Sequence, residues 1–236
     1  MTIKNQFSHT FLDWDTEQLG IPTAKITSIT SDILANAKQA GIKLLYFIVP
    51  ESDVAQIKRA KEFGGILVDN KITYLISLKN IAIQPDPDIK SYADKIPSEA
   101  LIALAYESGL YSRFRADPNL TEQQFKIIYK TWMTNSVNHS IADDVLTLSE
   151  NDQLLGMVTV GEKNGRGDIG LLAVSELARG KNIGTRLVKA AQYYFIQKNY
   201  SQSQVVTQQT NIPACKLYEK CGYHVEKTEC FFHMWL

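Results

Sequence analysis

The chain has 236 residues, 44% of them hydrophobic, with 25 basic side chains set against 25 acidic ones. A formal charge near zero excludes a nucleic-acid or polyanion binder that works by bulk electrostatics, while leaving local arginine clusters free to hold a phosphate. The length allows one large domain or two small ones.

No stretch approaches 18 consecutive apolar residues, and "MTIKNQFSHTFLDWD" lacks an apolar core of signal-peptide length. No membrane insertion and a cytoplasmic location are therefore expected. Cys215, Cys221 and Cys230 are an odd number with no CxxC pair, and read as reduced thiols. His9, His139, His224 and His233 show no metal spacing, so no metal is expected.

In chain order, "SDILANAKQAG" reads as a helix with Ser31 or Asp32 as cap and Gly41 at its close, followed by the strand "KLLYFIV". "SDVAQIKRAKEFGG" repeats that arrangement with Ser52 or Asp53 and Gly64, and leads into the runs "ILV" and "ITYLISL". "NIAIQPDPDIK", where Pro85 and Pro87 bracket an acid, breaks regular structure and is the candidate linker. It divides the chain into an N-terminal α/β lobe, 1–84, and a second domain, 85–236.

Beyond it, "PSEALIALAYESG" and "TEQQFKIIYKTWMTNSV" read as helices, the second capped by Thr121. "DVLTLSE" and "QLLGMVTVGEK" form a hairpin about Asn151-Asp152. "NGRGD" is a second turn, and "IGLLAV" is a fully apolar strand. "ARGKNIGTRLV" then opens a helix with Ile183, Leu187, Ala190, Ala191, Tyr194 and Phe195 on one face. "QVVTQQ", "NIPACKLYEKCG" and "YHVEKTECFFHMWL" complete a strand-helix-strand ending. The order is mixed α/β.

A glycine-containing turn between an apolar strand and a helix N-terminus is a natural anion site, because unpaired N–H groups and the helix dipole both face the ligand. Neither GxxxxGK[ST] nor GxGxxG with a ribose-binding acid is present. An ordinary strand-to-helix connection is the competing interpretation. Asn is among the few residues besides Gly that visit left-handed backbone readily.

"LLAVSELARGKNIGTRLVKAA" resembles the acetyl-CoA motif [QR]-x-x-G-x-[GA] of the GCN5-related N-acetyltransferases (GNAT). The match runs from Arg179 through Gly180, Lys181, Asn182 and Ile183 to Gly184, and Asn182 departs from the family's first glycine. "NIPACKLYEKCGYHV" resembles the family's second signature. The resemblance implies a mixed central sheet flanked by helices, here preceded by the small α/β lobe. It also implies acetyl-CoA as co-substrate, held by Arg179 to Thr185, with Asn211 from the second signature. Backbone amides of Leu172, Ala173 and Val174 would receive the thioester carbonyl and pantetheine. Tyr218 would be the acid that protonates the departing thiolate. Asn211 and Tyr218 lie seven residues apart, so a shared helix face is expected.

"FLDWDTEQLGIPTAKI", "EFGGILVDNKITYLISL", "YSRFRADPNLTEQQFKIIYKTWMTNSV" and "DIGLLAV", in that order, resemble the TDP-fucosamine acetyltransferases. These act on the 4-amino group of a dTDP-linked 4-amino-4,6-dideoxygalactose. That resemblance implies a nucleotide-sugar acceptor and a homodimer. "YSRFRADP" supplies Arg113, Arg115 and Tyr111 for the diphosphate and thymine, since Arg forks suit phosphate oxygens and aromatic faces suit a base. Surface arginines beside a core Phe114 are the alternative. Tyr129 and Trp132 read as core. Glu150, Glu162 and Glu176 read as solvated carboxylates, and no general base is assigned. Other amine acceptors (a peptide N-terminus, a polyamine, an aminoglycoside) and a non-catalytic acetyl-CoA-binding module remain as competing functions.

Overall fold

A computed structural model describes residues 9–236 as a mixed α/β fold. The first elements are β1 (Thr10–Phe11), α1 (Asp13–Leu19), β2 (Thr23–Ile26), α2 (Ser31–Gln39), β3 (Leu44–Pro50), α3 (Val54–Glu62) and β4 (Ile66–Ser77). Then come β5 (Ile89–Ser91), α4 (Glu99–Ser108), α5 (Arg113–Ala116) and α6 (Glu122–Val137). The remainder is β6 (Asp144–Glu150), β7 (Gln153–Lys163), β8 (Arg166–Val174), α7 (Ile183–Gln197), β9 (Gln202–Gln208), α8 (Ile212–Lys220) and β10 (His224–Trp235).

The chain divides into two units. The first gathers the described residues up to Lys71 with Ser112–Ile127 and Thr228–Leu236; the second gathers Ile72–Tyr111 and Ile128–Lys227. The boundary expected at 84/85 thus falls inside the second unit. The physical reason lies in strand pairing. The strand beside β3 comes from the far end of the chain, with Phe231 opposite Ile48 and His233 opposite Tyr46.

In the first unit, β2 runs parallel to β3 and β10 runs antiparallel to it. Alternation assigns the faces. Leu45, Phe47 and Val49 with Cys230, Phe232 and Met234 form one buried face, on which Ala37 of α2 and Ala60 of α3 pack. Tyr46, Phe231 and His233 share the opposite face as stacked and edge-on rings. Thr30, one residue before the expected cap, accepts from the Ile33 amide at 3.2 Å and starts α2. Asp53 caps α3 as expected. "ILV" and "ITYLISL" are one continuous strand, β4.

In the second unit, β5 to β8 form an antiparallel meander, and β9 adds parallel to β8. Asn151 and Asp152, and likewise Asn164 and Gly165, take positive φ at the two turn positions. Consecutive positive φ is the backbone of a type I′ turn, which matches strand twist in tight hairpins. Helix α7 buries Ile183, Leu187, Val188, Ala191 and Phe195 against Leu146, Val158, Val160 and Ile169. Leu101, Leu104 and Ala105 of α4 cover the other face at Val145, Met157 and Ala173. At about 25 cal/mol per Å² of apolar surface, these two layers supply the main stabilisation of the meander.

"NIAIQPDPDIK" is pinned to α7. Arg186 donates from Nε and Nη2 to Asp86 at 2.7 Å each, and from Nη2 to Asp88 at 2.6 Å. The Asp86 carboxyl is held below its usual range chiefly by that guanidinium. The three cysteines are free and buried. Among the described residues no helix is long and apolar enough to cross a membrane.

Candidate active site

The site lies in the second unit, where β8 hands over to α7. Two residues of β8, Gly170 and Leu171, face the single Thr159 of β7, because the pairing steps from Val160↔Ile169 to Val158↔Leu172. This is a β-bulge, which bends and twists the strand that carries it. Thr159 Oγ1 accepts from the Leu171 amide at 2.8 Å and bridges the irregularity. A Cβ on residue 170 would stand 2.7 Å from that oxygen and would displace the Thr159 hydroxyl from its bond to Leu171.

Beyond the bulge the two parallel strands part. Pairing of β8 with β9 ends at Ile169↔Val205, although β8 continues to Val174 and β9 to Gln208. The phase of the β7–β8 ladder is fixed by the Ser175 amide donating to the Leu155 carbonyl at 2.8 Å. Partners in an antiparallel ladder alternate between bonded and non-bonded pairs. Ala173 therefore bonds to β7, while Leu172 and Val174 turn their N–H and C=O groups to the side that β9 has left. Of the three amides expected to serve a ligand, two face the gap, and Ala173 is corrected to a ladder residue.

After Val174 the chain makes a 3-10 turn at Glu176–Ala178 and passes through Gly180 (φ 80) and Asn182 (φ 61, ψ 12) into α7. Asn182, at the position of the glycine in the resembled motif, thus takes left-handed backbone, which Asn tolerates better than most residues other than glycine. Its side chain makes no cap bond to the helix it starts; its Oδ1 instead accepts from Lys220 Nζ at 3.1 Å. Among the described residues, the amides of Gly180, Lys181, Asn182, Ile183, Gly184 and Thr185 have no protein acceptor. Six consecutive free donors at the positive end of a 15-residue helix form an anion cradle. The first intrahelical bond runs from the Arg186 amide to the Asn182 carbonyl at 3.2 Å.

A cavity of ≈ 550 Å³ opens on this loop, lined by Val174, Arg179, Gly180, Asn182, Gly184 and Thr185, with Lys216 and Lys220 of α8 among the others. Arg179 is anchored by Glu107 at 2.9 Å and Glu176 at 3.2 Å. Lys181 faces elsewhere and lines a smaller cavity of ≈ 300 Å³ with Arg186 and Glu150.

Tyr218 is 5% exposed and packs between Tyr74 and Tyr223, with ring centroids 5.9 and 6.0 Å away. Burial, followed by the nearby Tyr223 and two cysteines, raises its pKa well above that of an ordinary phenol. Its hydroxyl is not among the sealed polar atoms without a partner. Tyr74, which sequence reasoning passed over, donates to Glu219 at 2.9 Å. Asn211 does not share a helical face with Tyr218. It is the N-cap of α8, with non-helical φ −82 and ψ 66, and its side chain accepts from the Ala214 amide at 3.3 Å.

The acceptor candidates stand apart in character. Arg113 belongs to the first unit, where its guanidinium lies 4.1 Å over Phe114, 4.8 Å over Phe231 and 5.3 Å over Tyr46, and 3.8 Å from Asp15. Its Nε is buried without a partner. Arg115 pairs with Glu122 and lies over Phe125. Tyr111, in the second unit, is 42% exposed. Tyr129 is buried with its ring edge-on to Trp132, as expected for core. Glu176 is exposed and paired to Arg179, and Glu162 closes a turn by accepting from the Gly165 amide at 2.6 Å. Sequence reasoning missed Lys216 and Lys220, whose i, i+4 spacing on α8 was the available signal.

Residues 108–223 match the model of the Acetyltransferase (GNAT) family. The spore coat polysaccharide biosynthesis protein SpsD of Bacillus subtilis is 25% identical over 191 residues, covering 75% of this chain and 64% of its own. The chain thus spans less than two thirds of that relative. A streptothricin acetyltransferase from Escherichia coli is 24% identical over 147 residues, 58% of this chain and 82% of that one. The crystal structure of a GCN5-related N-acetyltransferase from Sphaerobacter thermophilus superposes with a TM-score of 0.60 at 13% identity, covering 95% of this chain and 75% of that one. That likeness shows the fold.

Proposed function

We propose that this chain is an acyl-CoA-dependent N-acetyltransferase of the GNAT superfamily and that it moves acetyl from acetyl-CoA to the 4-amino group of a dTDP-linked 4-amino-4,6-dideoxy sugar. One observation carries the coenzyme half of this reading: six unsatisfied amides, Gly180 to Thr185, stand next to a strand whose Leu172 and Val174 amides face an unpaired gap. The first set suits two linked phosphoryl groups. The second suits an extended amide chain that adds to the strand edge, and a carbonyl that gains negative charge.

In the reaction, the amine lone pair forms the new C–N bond at the thioester carbonyl and the C–S bond breaks onto sulfur. A CoA thiol resembles a cysteine, whose pKa is about 8.5, so its thiolate accepts a proton readily. Tyr218 is assigned to donate that proton; solvent takes the proton released by the amine and returns one to the Tyr218 phenolate, which closes the cycle. With no carboxylate assigned as base, catalysis rests on positioning and on the amide donors.

The acceptor half is supported by the resemblance of the N-terminal segments to nucleotide-sugar acetyltransferases, by the polysaccharide role in the name of SpsD, and by Arg113. Three aromatic faces fix its guanidinium, which reduces the entropy lost when it takes a phosphate oxygen. The test is thiol release from acetyl-CoA over a panel of dTDP- and UDP-linked amino sugars, with polyamines, peptides and streptothricin as comparators. Turnover with the dTDP-4-amino sugar is expected. Turnover confined to the comparators would overturn the acceptor assignment.

A further inference from the structure

The cavity on the α7 loop carries more positive charge than a diphosphate held by backbone amides requires. Its charged lining residues are Arg179, Lys216 and Lys220, and no carboxylate lines it. Arg179 is neutralised by Glu107 and Glu176. Among the described residues neither Lys216 nor Lys220 has an acidic partner, although both sit on one face of α8 one turn apart. The intervening Glu219 is engaged by Tyr74. Lys220 reaches only the neutral oxygen of Asn182. Pro213 and Leu217 add an apolar surface beside the two ammonium groups. The volume, ≈ 550 Å³, falls within the roughly 300–1,000 Å³ of pockets that enclose sizeable ligands.

We infer that Lys216 and Lys220 hold a second, separate phosphate, the phosphomonoester on the ribose of CoA, and thereby make the enzyme selective for CoA over its dephosphorylated form. This rests on the coenzyme reading above and deepens it. A monoester carries about −1.5 to −2 at neutral pH, the largest local charge on the coenzyme, and unpaired ammonium groups are its natural partners. The amides of the loop serve the diphosphate. The lysines serve the monoester, and the apolar surface of Pro213 and Leu217 lies against the adenine.

The experiment is calorimetric titration of CoA and of dephospho-CoA into the wild-type chain, the Lys216→Ala/Lys220→Ala double variant and the Lys216→Arg/Lys220→Arg double variant. Wild type is expected to bind CoA about tenfold or more tightly than dephospho-CoA, with a steeper salt dependence. The alanine variant loses that preference by weakening CoA alone, and the arginine variant retains it. A wild type that binds both ligands equally overturns the inference and leaves the coenzyme reading standing. Equal weakening of both ligands in the alanine variant also overturns it, by assigning the lysines to the diphosphate. A wild type that binds neither ligand overturns the inference together with the coenzyme reading.

Discussion

Lys220 Nζ donates to the Asn182 side-chain oxygen across 3.1 Å, which ties the left-handed residue that starts α7 to the helix that carries Tyr218. The loop and α8 are thereby linked through a neutral oxygen, while the amides of the loop stay free for an anion. The conformation of Asn182 is the more demanding part of this arrangement. At φ 61 an unbranched polar residue is tolerated, glycine is unstrained, and a β-branched residue meets its own backbone.

Asn182→Gly is therefore expected to keep both fold and acetyl-CoA affinity, with a melting temperature close to wild type. Asn182→Val is expected to cost about 1–2 kcal/mol of stability and to weaken acetyl-CoA about tenfold, because the amides lose their alignment. Thermal melts and acetyl-CoA titrations on the two variants measure both effects. Equal behaviour of the glycine and valine variants would show that the left-handed backbone is dispensable.

Tyr218→Phe keeps the ring that packs on Tyr74 and Tyr223 and removes only the hydroxyl. As a general acid it is expected to contribute about 100-fold or more to kcat, with acetyl-CoA affinity nearly unchanged. Its pKa is raised from 10.0, chiefly by burial, so the active phenol persists to higher pH than a free tyrosine would. The kcat of the wild type should show no basic fall from this group up to about pH 10. A variant turning over near the wild-type rate would remove Tyr218 from the chemistry.

Gly156 is where α7 meets the sheet most closely. A Cβ there would lie 2.9 Å from the Ala173 carbonyl oxygen, 2.9 Å from Leu187 and 3.2 Å from Ile183. The backbone oxygen cannot yield as a flexible side chain can, so Gly156→Ala should destabilise by about 1–3 kcal/mol. The displaced α7 should also weaken acetyl-CoA. Denaturant unfolding checks the first effect and titration the second. A neutral substitution would contradict the close fit of strand and helix at this position.

His233 is fully buried; Nδ1 lies 2.6 Å from Asp117, which also accepts from Trp235 at 3.0 Å, and Nε2 has no partner. Burial lowers the pKa of His233 below 6.5 despite the opposing pull of Asp117. Burial would raise the Asp117 carboxyl, but the bonds from His233, Asn119 and Trp235 outweigh it and hold it low. At neutral pH, then, a neutral imidazole donates to a carboxylate. As pH falls below 6.5 the unfolded chain takes up the proton before the native chain does, so stability is full above that pH and is lost below it. His233→Asn keeps a donor for Asp117 and cannot titrate. Its melting temperature should decline less between pH 7 and 5 than that of wild type; parallel declines would contradict the assignment.

The sequence was most informative where local chemistry decides the structure. The Asn151-Asp152 and Asn164-Gly165 turns, the Asp53 and Thr121 caps, and the apolar stripe of α7 all stand where periodicity and turn chemistry put them. The loop of α7 was legible because Asn182 can replace a glycine in left-handed backbone. Long-range pairing was less legible. Nothing local to "FFHMWL" says that it lies beside β3, so the interleaved units were missed. Prolines mark "QPDPDIK" as irregular backbone, but the Arg186 that pins it lies 100 residues away from Asp86. The bulge at Gly170 was hidden because its partner, Thr159, is on another strand, and a lone glycine in an apolar run has no distinctive signal.

The central claim is that the amides at the start of α7 and the unpaired edge of β8 receive acetyl-CoA. Backbone amide chemical shifts of the isotope-labelled chain, followed during titration with acetyl-CoA, test it most directly. Saturable shifts concentrated at Gly180 to Thr185, and at Leu172 and Val174 with Ala173 less affected, are the predicted result. Saturation with those resonances unmoved, or no response at millimolar coenzyme, would contradict it.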